Sequence, residues 1–244
     1  MNKFVVPFND LLAQYNSLKN EIDEAIAKVI KTSSFIRGPE VARFEQNFSD
    51  ALSMSHCVTC GNGTDALYIS LKSLKISPQD EVIVPAMSWI STSEAVSQAG
   101  GKPVFCDIND LSYTIEPTLI EEKVTSKTVG IIPVHLYGHP CDMSPILNVA
   151  KKFGLWVLED CAQAHLSKYF GKFVGSFGNA GTYSFYPGKN LGAMGDAGAI
   201  VTNNSQLANN MEKYARHGGL TKHTHDIEGI NSRMDGIQAA ILNV

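Results

Sequence analysis

Apolar residues recur at helical spacing from Leu11 to Ile30, at Leu11, Tyr15, Leu18, Ile22, Ile26 and Val29. A turn is expected at Arg37-Gly38-Pro39. A second amphipathic helix is expected from about Pro39, since proline suits a first helical turn. The pattern then changes to short apolar runs alternating with helical stretches. Strands are expected at 57–60, 82–85, 103–108, 129–137, 155–159, 181–185 and 199–202. Helices are expected at 64–74, 91–98, 117–124, 145–153, 206–217 and 233–244. Such alternation predicts an α/β fold with a largely parallel sheet covered by helices. Ligands of these sheets sit beyond the carboxyl ends of the strands, so the residues after each strand are where chemistry is expected. The run SRMDGIQAAILNV reaches Val244 without a glycine cap or a turn. It reads as an interrupted helix, with a further C-terminal portion expected beyond it.

The chain has 244 residues, 44% apolar and 18% charged, which fits an ordinary globular protein. A net charge of -4 without runs of like charge gives no reason to expect a nucleic-acid or membrane partner. The apolar run in MNKFVVPFND is too short for a signal-peptide core. Nothing approaches the roughly 18 apolar residues of a membrane span, so a cytoplasmic protein is expected. Five cysteines at irregular spacing argue against a disulfide framework. Cys57 and Cys60 form a C-x-x-C but lack a second ligand pair, so they read as structural thiols and no metal site is expected.

Five stretches carry candidate chemistry. Gly61-Asn62-Gly63-Thr64 lies between a strand and a helix, where free backbone N–H groups, the helix dipole and the Thr64 hydroxyl suit a phosphate. An ordinary strand-to-helix turn would read the same. Trp89 follows the second strand, where an indole can stack on a flat ring or serve as half-buried core. Asp160 follows the apolar run 155–158, and a carboxylate there can pair with a cationic ring nitrogen or cap the next turn. Gln163 and His165, on the following turn, can face the same cleft, although a lone histidine is more often structural.

Lys189 stands among small and apolar residues in SFYPGKNLGAMGDAG, with no charged neighbour before Asp196. At an unperturbed pKa of about 10.4, fewer than about one lysine in a thousand is neutral at pH 7. A nucleophilic lysine needs surroundings that lower that value. Ser184, five residues earlier, offers a second phosphate hydroxyl. In Asn231-Ser232-Arg233, either Asn231 or Ser232 can cap the final helix.

Together, in this order, GNGTDAL, EDCAQAH, SFYPGKNLG with MGDAGAI, RHGG and NSRMDGIQAAIL resemble the DegT/DnrJ/EryC1/StrS family of sugar aminotransferases, as do FIRGPEV and PVHLYGHP. The resemblance implies an aspartate-aminotransferase-like large domain spanning 1–244, with a mixed, mostly parallel sheet. The family's smaller C-terminal domain is expected to be absent from the chain. It implies pyridoxal 5'-phosphate as cofactor, bound covalently by Lys189. Asp160 would bond the pyridine nitrogen and Trp89 would stack on the ring. Gln163 would lie near the ring, and Gly63, Thr64 and Ser184 would hold the phosphate. Asn231 would reach the phosphate of a neighbouring subunit, making the active unit a homodimer. The implied reaction moves an amino group from an amino acid, by family habit L-glutamate, to a keto sugar on a nucleotide carrier, in polysaccharide or other amino-sugar biosynthesis.

Some sugar dehydratases of the same family carry histidine where Lys189 stands here. A non-catalytic nucleotide-binding domain also fits an α/β sheet, but leaves Asp160, Ser184 and Lys189 unexplained. One departure is Leu166, where family members often have glycine. It alters backbone freedom near the site without removing a cofactor ligand.

Overall fold

The computed structural model describes residues 6–244; the N-terminal stretch 1–5, part of the segment weighed as a signal peptide, lies outside them. Two helices lead, α1 (Leu11–Thr32) and α2 (Pro39–Leu52). Asp10 caps α1 by accepting from the Ala13 N–H at 2.9 Å. Pro39 occupies the first turn of α2, where its missing N–H costs nothing.

The alternating part follows as β1 (His56–Cys60), α3 (Gly63–Ser73), β2 (Glu81–Pro85), α4 (Ser91–Ala99) and β3 (Lys102–Cys106). It continues through α5 (Pro117–Ile120), β4 (Thr128–Ile131), α6 (Met143–Phe153) and β5 (Trp156–Asp160). A short hairpin, β6 (Lys168–Tyr169) and β7 (Lys172–Phe173), precedes β8 (Ala180–Ser184) and β9 (Gly198–Thr202). Helices α7 (Ser205–Ala215) and α8 (Gly236–Leu242) complete the order.

Seven strands form one sheet in the order β1-β9-β8-β5-β4-β2-β3. Neighbours are parallel except where β9 runs antiparallel between β1 and β8. Strand periodicity explains how the sheet separates its covering layers. In β2, Val82 and Val84 join the core beneath α3, α4 and α7, whereas Ile83 joins that beneath α5 and α6. In β9, Ile200 faces the first of these cores, and Ala199 and Val201 face the α2 and α8 side. Both faces are covered, so β2, β8 and β9 are buried throughout. The same alternation places Cys57 and Cys60 in cores on opposite faces, which prevents their thiols from sharing a metal.

Three expected elements differ. The helix expected over 117–124 is α-helical only over Pro117–Ile120 and tightens to a 3-10 turn at Glu121–Lys123. The strand expected over 129–137 ends at Ile131. Pro133 has no N–H to give the ladder, and the chain keeps only a bridge from Val134 to Asp160 before a tight turn at Leu136–Gly138. The final helix starts at Gly236 with Asp235 at its N-cap position, so neither Asn231 nor Ser232 caps it. Residues 231–235 are instead drawn into bridges, Arg216 with Asn231 and Ile36 with Asp235, which hold them extended.

Candidate active site

A cavity of about 740 Å³ opens at the carboxyl ends of the parallel strands. It gathers Gly63, Thr64, Trp89, Asp160, Gln163, Ser184 and Lys189. Asn231 does not line it and is exposed. His165 does not line it either; its ring packs 5.5 Å from those of Tyr183 and Phe185.

One end of the cavity is the start of α3. Asn62 caps this helix, its side chain accepting from the Asp65 N–H at 2.8 Å. The N–H groups of Gly63 and Thr64 also precede the first intrahelical bond and have no acceptor within the helix. Ser184 approaches closely: a Cβ on residue 63 would meet its Cβ at 2.7 Å, so only glycine fits there. Gly198 allows the same intimacy from below, since its Cβ would lie 2.3 Å from the Asn62 carbonyl oxygen. The hydroxyls of Thr64 and Ser91 are 2.7 Å apart. Free N–H groups, a helix dipole and three hydroxyls compose a cradle for a phosphate.

At the end of β5 the side chain of Asp160 is 5% exposed. Its Oδ1 accepts from the Ala162 N–H and its Oδ2 from the Thr92 hydroxyl, both at 3.1 Å. No described cation forms an ion pair with it. Burial raises its pKa, opposed by those hydrogen bonds and by the charge of Lys189. Lys189 is half-buried, and desolvation lowers its pKa while Asp160 raises it. A buried carboxylate with spare acceptor capacity therefore shares a cavity with an amine biased toward its neutral, nucleophilic form.

The preceding residue, Glu159, turns away from the cavity. It accepts from the N–H groups of Gly175, Phe177 and Gly178 at 2.7, 2.7 and 2.8 Å. His135 Nδ1 accepts from the Cys141 N–H at 3.0 Å, so its hydrogen sits on Nε2, which donates to Glu159 at 3.1 Å. His135, Glu159 and Cys161 lie close enough for a metal site, yet the imidazole and carboxylate are engaged with each other and with the main chain. The cluster is a buried clamp on the end of β5.

The sequence profile described as the DegT/DnrJ/EryC1/StrS aminotransferase family matches residues 16–244. The chain belongs to this family. It is 46% identical over 239 residues to a "Pleiotropic regulatory protein" of Geobacillus stearothermophilus, covering 98% of this chain and 64% of that protein. It is 42% identical to the "dTDP-3-amino-3,4,6-trideoxy-alpha-D-glucose transaminase" of Streptomyces venezuelae, over 98% of this chain and 63% of that one. Its fold matches the crystal structure of S. venezuelae DesV in complex with a ketimine intermediate. The TM-score is 0.96 at 42% identity, over 98% of this chain and 64% of that chain. The chain thus spans just under two thirds of the length of these relatives.

Within this DegT-family fold, several lining residues carried no signal in the sequence reading. Ser88, Ser91 and Tyr186 line the cavity, and Thr92 reaches Asp160 from α4. Hydroxyl residues at a helix start read as ordinary capping, and only the packing of α4 against the sheet reveals their partners. Ser232, expected with Asn231 as a candidate cap of the final helix, serves the glycine turn instead. It is buried, donates to Asp65 Oδ2 at 2.6 Å and accepts from the Gly61 N–H at 2.8 Å. Leu166, the departure from the family pattern, adopts a left-handed φ of 60°. Gln163 Oε1 accepts from the Tyr137 N–H at 2.8 Å, tying the turn after β4 to the turn after β5.

Proposed function

We propose that this chain holds pyridoxal 5'-phosphate and moves an amino group from an amino-acid donor to a keto sugar carried on a nucleotide. The reading rests on one juxtaposition: Lys189, Asp160 and the phosphate cradle of α3 share a single cavity. The residues fit the cofactor by their chemistry. Asp160 is a buried anion without a cationic partner among the described residues, as a protonated pyridine nitrogen would require. Gly63 leaves the helix start bare beside Ser184, as a phosphate would require.

When bound, the cofactor supplies an aldehyde that takes up amines and a ring that withdraws electrons. The rest falls to the protein. Lys189, kept toward its neutral form by burial, would hold the aldehyde and would be the group placed to take and return a proton beside it. Asp160 would keep the ring nitrogen protonated through a charge-assisted hydrogen bond. The N–H groups of Gly63 and Thr64 and the hydroxyls of Thr64 and Ser184 anchor the phosphate. Trp89, 73% exposed at the cavity's edge, would stack on the ring, and Gln163, also lining the cavity, would lie near it.

In this reading residues 1–244 make up the cofactor-holding domain. Asn231, exposed and outside the cavity, serves the phosphate site of a second copy, and L-glutamate is the donor. The resemblance of the whole chain to nucleotide-sugar transaminases supports the substrate class. Lys189 favours transamination over the related dehydration, in which histidine takes its place.

The test is borohydride reduction of the purified chain after addition of pyridoxal 5'-phosphate. A visible absorption band that disappears on reduction, with the label mapping to Lys189 and absent from a folded Lys189→Ala variant, is expected. Equal labelling of that variant would overturn the assignment.

A further inference from the structure

The hydroxyl of Thr92 is buried, with the residue only 2% exposed. It has two polar neighbours, Asp160 Oδ2 at 3.1 Å and Ser88 Oγ at 2.8 Å. A hydroxyl carries one proton, and an ionised carboxylate can only accept. The proton of Thr92 therefore points to Asp160, and Thr92 in turn accepts the proton of Ser88. This makes a directed chain, Ser88 to Thr92 to Asp160, in which each bond polarises the next.

Its position matters as much as its polarity. Ser88 and Thr92 bracket Trp89, and the Thr92 N–H donates to the Trp89 carbonyl at 3.2 Å, closing a turn around it. One residue earlier, Ser91 reaches Thr64 in the phosphate cradle. The start of α4 thus touches the three groups that the proposed cofactor would need: the stacking indole, the ring-nitrogen carboxylate and the phosphate cradle.

We infer that Thr92 is a positioning residue, whose hydroxyl holds the Asp160 carboxylate charged and aimed into the cavity and locks the Trp89 turn to it. The role is one step removed from the chemistry, since Thr92 itself does not line the cavity. The inference rests on the cofactor reading above. Asp160 has one side-chain donor and one main-chain donor, and Thr92 is the side-chain one. Replacing it with valine keeps the shape and deletes the donor. The charge of Lys189 and the neutral imidazole of His135, the other titratable groups near Asp160, remain in place.

The experiment measures the dissociation constant of pyridoxal 5'-phosphate by absorbance across a pH series for the wild-type chain, Thr92→Val, Thr92→Ser and Ser88→Ala. Thermal unfolding of each cofactor-free protein is recorded alongside. A hydrogen bond to a charged group is worth a factor of roughly ten to a hundred. Thr92→Val should weaken binding by about that factor, and Thr92→Ser should stay within about twofold of wild type. Without its donor Asp160 protonates more readily, so the acid limit of cofactor retention should move to higher pH in Thr92→Val and not in Thr92→Ser.

Ser88→Ala, which removes only the upstream donor, should show a smaller loss in the same direction. It also carries the test if Thr92→Val does not fold. Wild-type affinity and acid limit in Thr92→Val, or in Ser88→Ala where that variant carries the test, would overturn the inference alone. So would a Thr92→Val variant with lowered cofactor-free unfolding temperature and an unmoved acid limit, which marks a merely structural hydroxyl. Failure of the wild-type chain to capture the cofactor would overturn the functional reading and this inference with it.

Discussion

Ser232 Oγ donates to Asp65 Oδ2 at 2.6 Å across 167 positions of sequence, and the same oxygen accepts from the Gly61 N–H at 2.8 Å. The extended segment before α8 is thereby fastened to the glycine turn that opens α3, so the cradle is held from outside its own strand and helix. Removing the hydroxyl strands a buried N–H and half-frees a carboxylate. Ser232→Ala should cost about 1–3 kcal/mol. In thermal unfolding this amounts to a loss of several degrees for a chain of this size, at about 2–4 °C per kcal/mol. An unchanged midpoint would show that water replaces both bonds.

Asp160 sets function against stability. Its charge is buried with no ion-pair partner among the described residues, and burial raises its pKa above the ordinary carboxylate value. A carboxylate raised in the folded state loses stability as pH climbs through the interval above its unfolded value. Asp160→Asn removes that charge and should raise the unfolding midpoint of the cofactor-free protein at pH values above the carboxylate range. The same variant should lower transamination by orders of magnitude, because an amide holds no proton on a pyridine nitrogen. Calorimetry and a turnover assay check the two halves separately.

His165 predicts acid sensitivity. Both ring nitrogens are buried, with no hydrogen bond of good geometry among the described residues; burial, opposed by the nearby Ser184 main chain and aided by the charge of Lys189, lowers its pKa to about 4 from 6.5. The unfolded chain takes up a proton below about pH 6.5, and the folded chain does so only near 4. The neutral ring's stabilising share is thus complete above the upper value and lost as pH falls toward the lower. The full window is worth about 3 kcal/mol. Denaturant unfolding between pH 7 and 4 should show this slope in the wild type and a shallower one in His165→Leu. Parallel slopes would mean that the ring is protonated in the fold.

Leu166 pays for its backbone. A β-carbon at a φ of 60° costs about 1–2 kcal/mol, and glycine returns part of that as chain entropy on unfolding, about 0.4–1 kcal/mol. The side chain is more than half exposed, so little packing is lost with it. Leu166→Gly should be neutral to stabilising by up to about 1 kcal/mol, an outcome contrary to the usual cost of glycine. A fall in the unfolding midpoint would assign Leu166 a packing role.

Much of this fold was legible because periodicity is local. The helices at 11–30, 64–74 and 91–98 and the strands at 82–85 and 199–202 follow from how apolar side chains must alternate to meet a core. Asp160, Lys189, Ser184 and Gly63 were legible for a related reason: each directly follows, closes or turns away from a strand. What a strand pairs with is a different matter. The antiparallel insertion of β9 between β1 and β8 depends on contacts between distant segments, and an apolar run reads the same in either direction. The uncapped start of α8 arose likewise, where bridges from elsewhere overrode the local pattern, whereas the break at Pro133 has a local cause, the missing N–H.

By itself, then, the sequence determined the elements, the strand ends that bear chemistry and the residue types offered there, because these depend on neighbours a few positions apart. Only the tertiary structure decided which of those residues meet. It brought Lys189, Asp160 and Thr64 to one cavity, left Asn231 and His165 outside it, and supplied the hydroxyls of Thr92 and Ser232 as supports. The reason is physical. A hydrogen bond between side chains 68 or 167 positions apart leaves no spacing in the chain, and it exists only because burial of the intervening sheet brings its two ends within 3.1 or 2.6 Å.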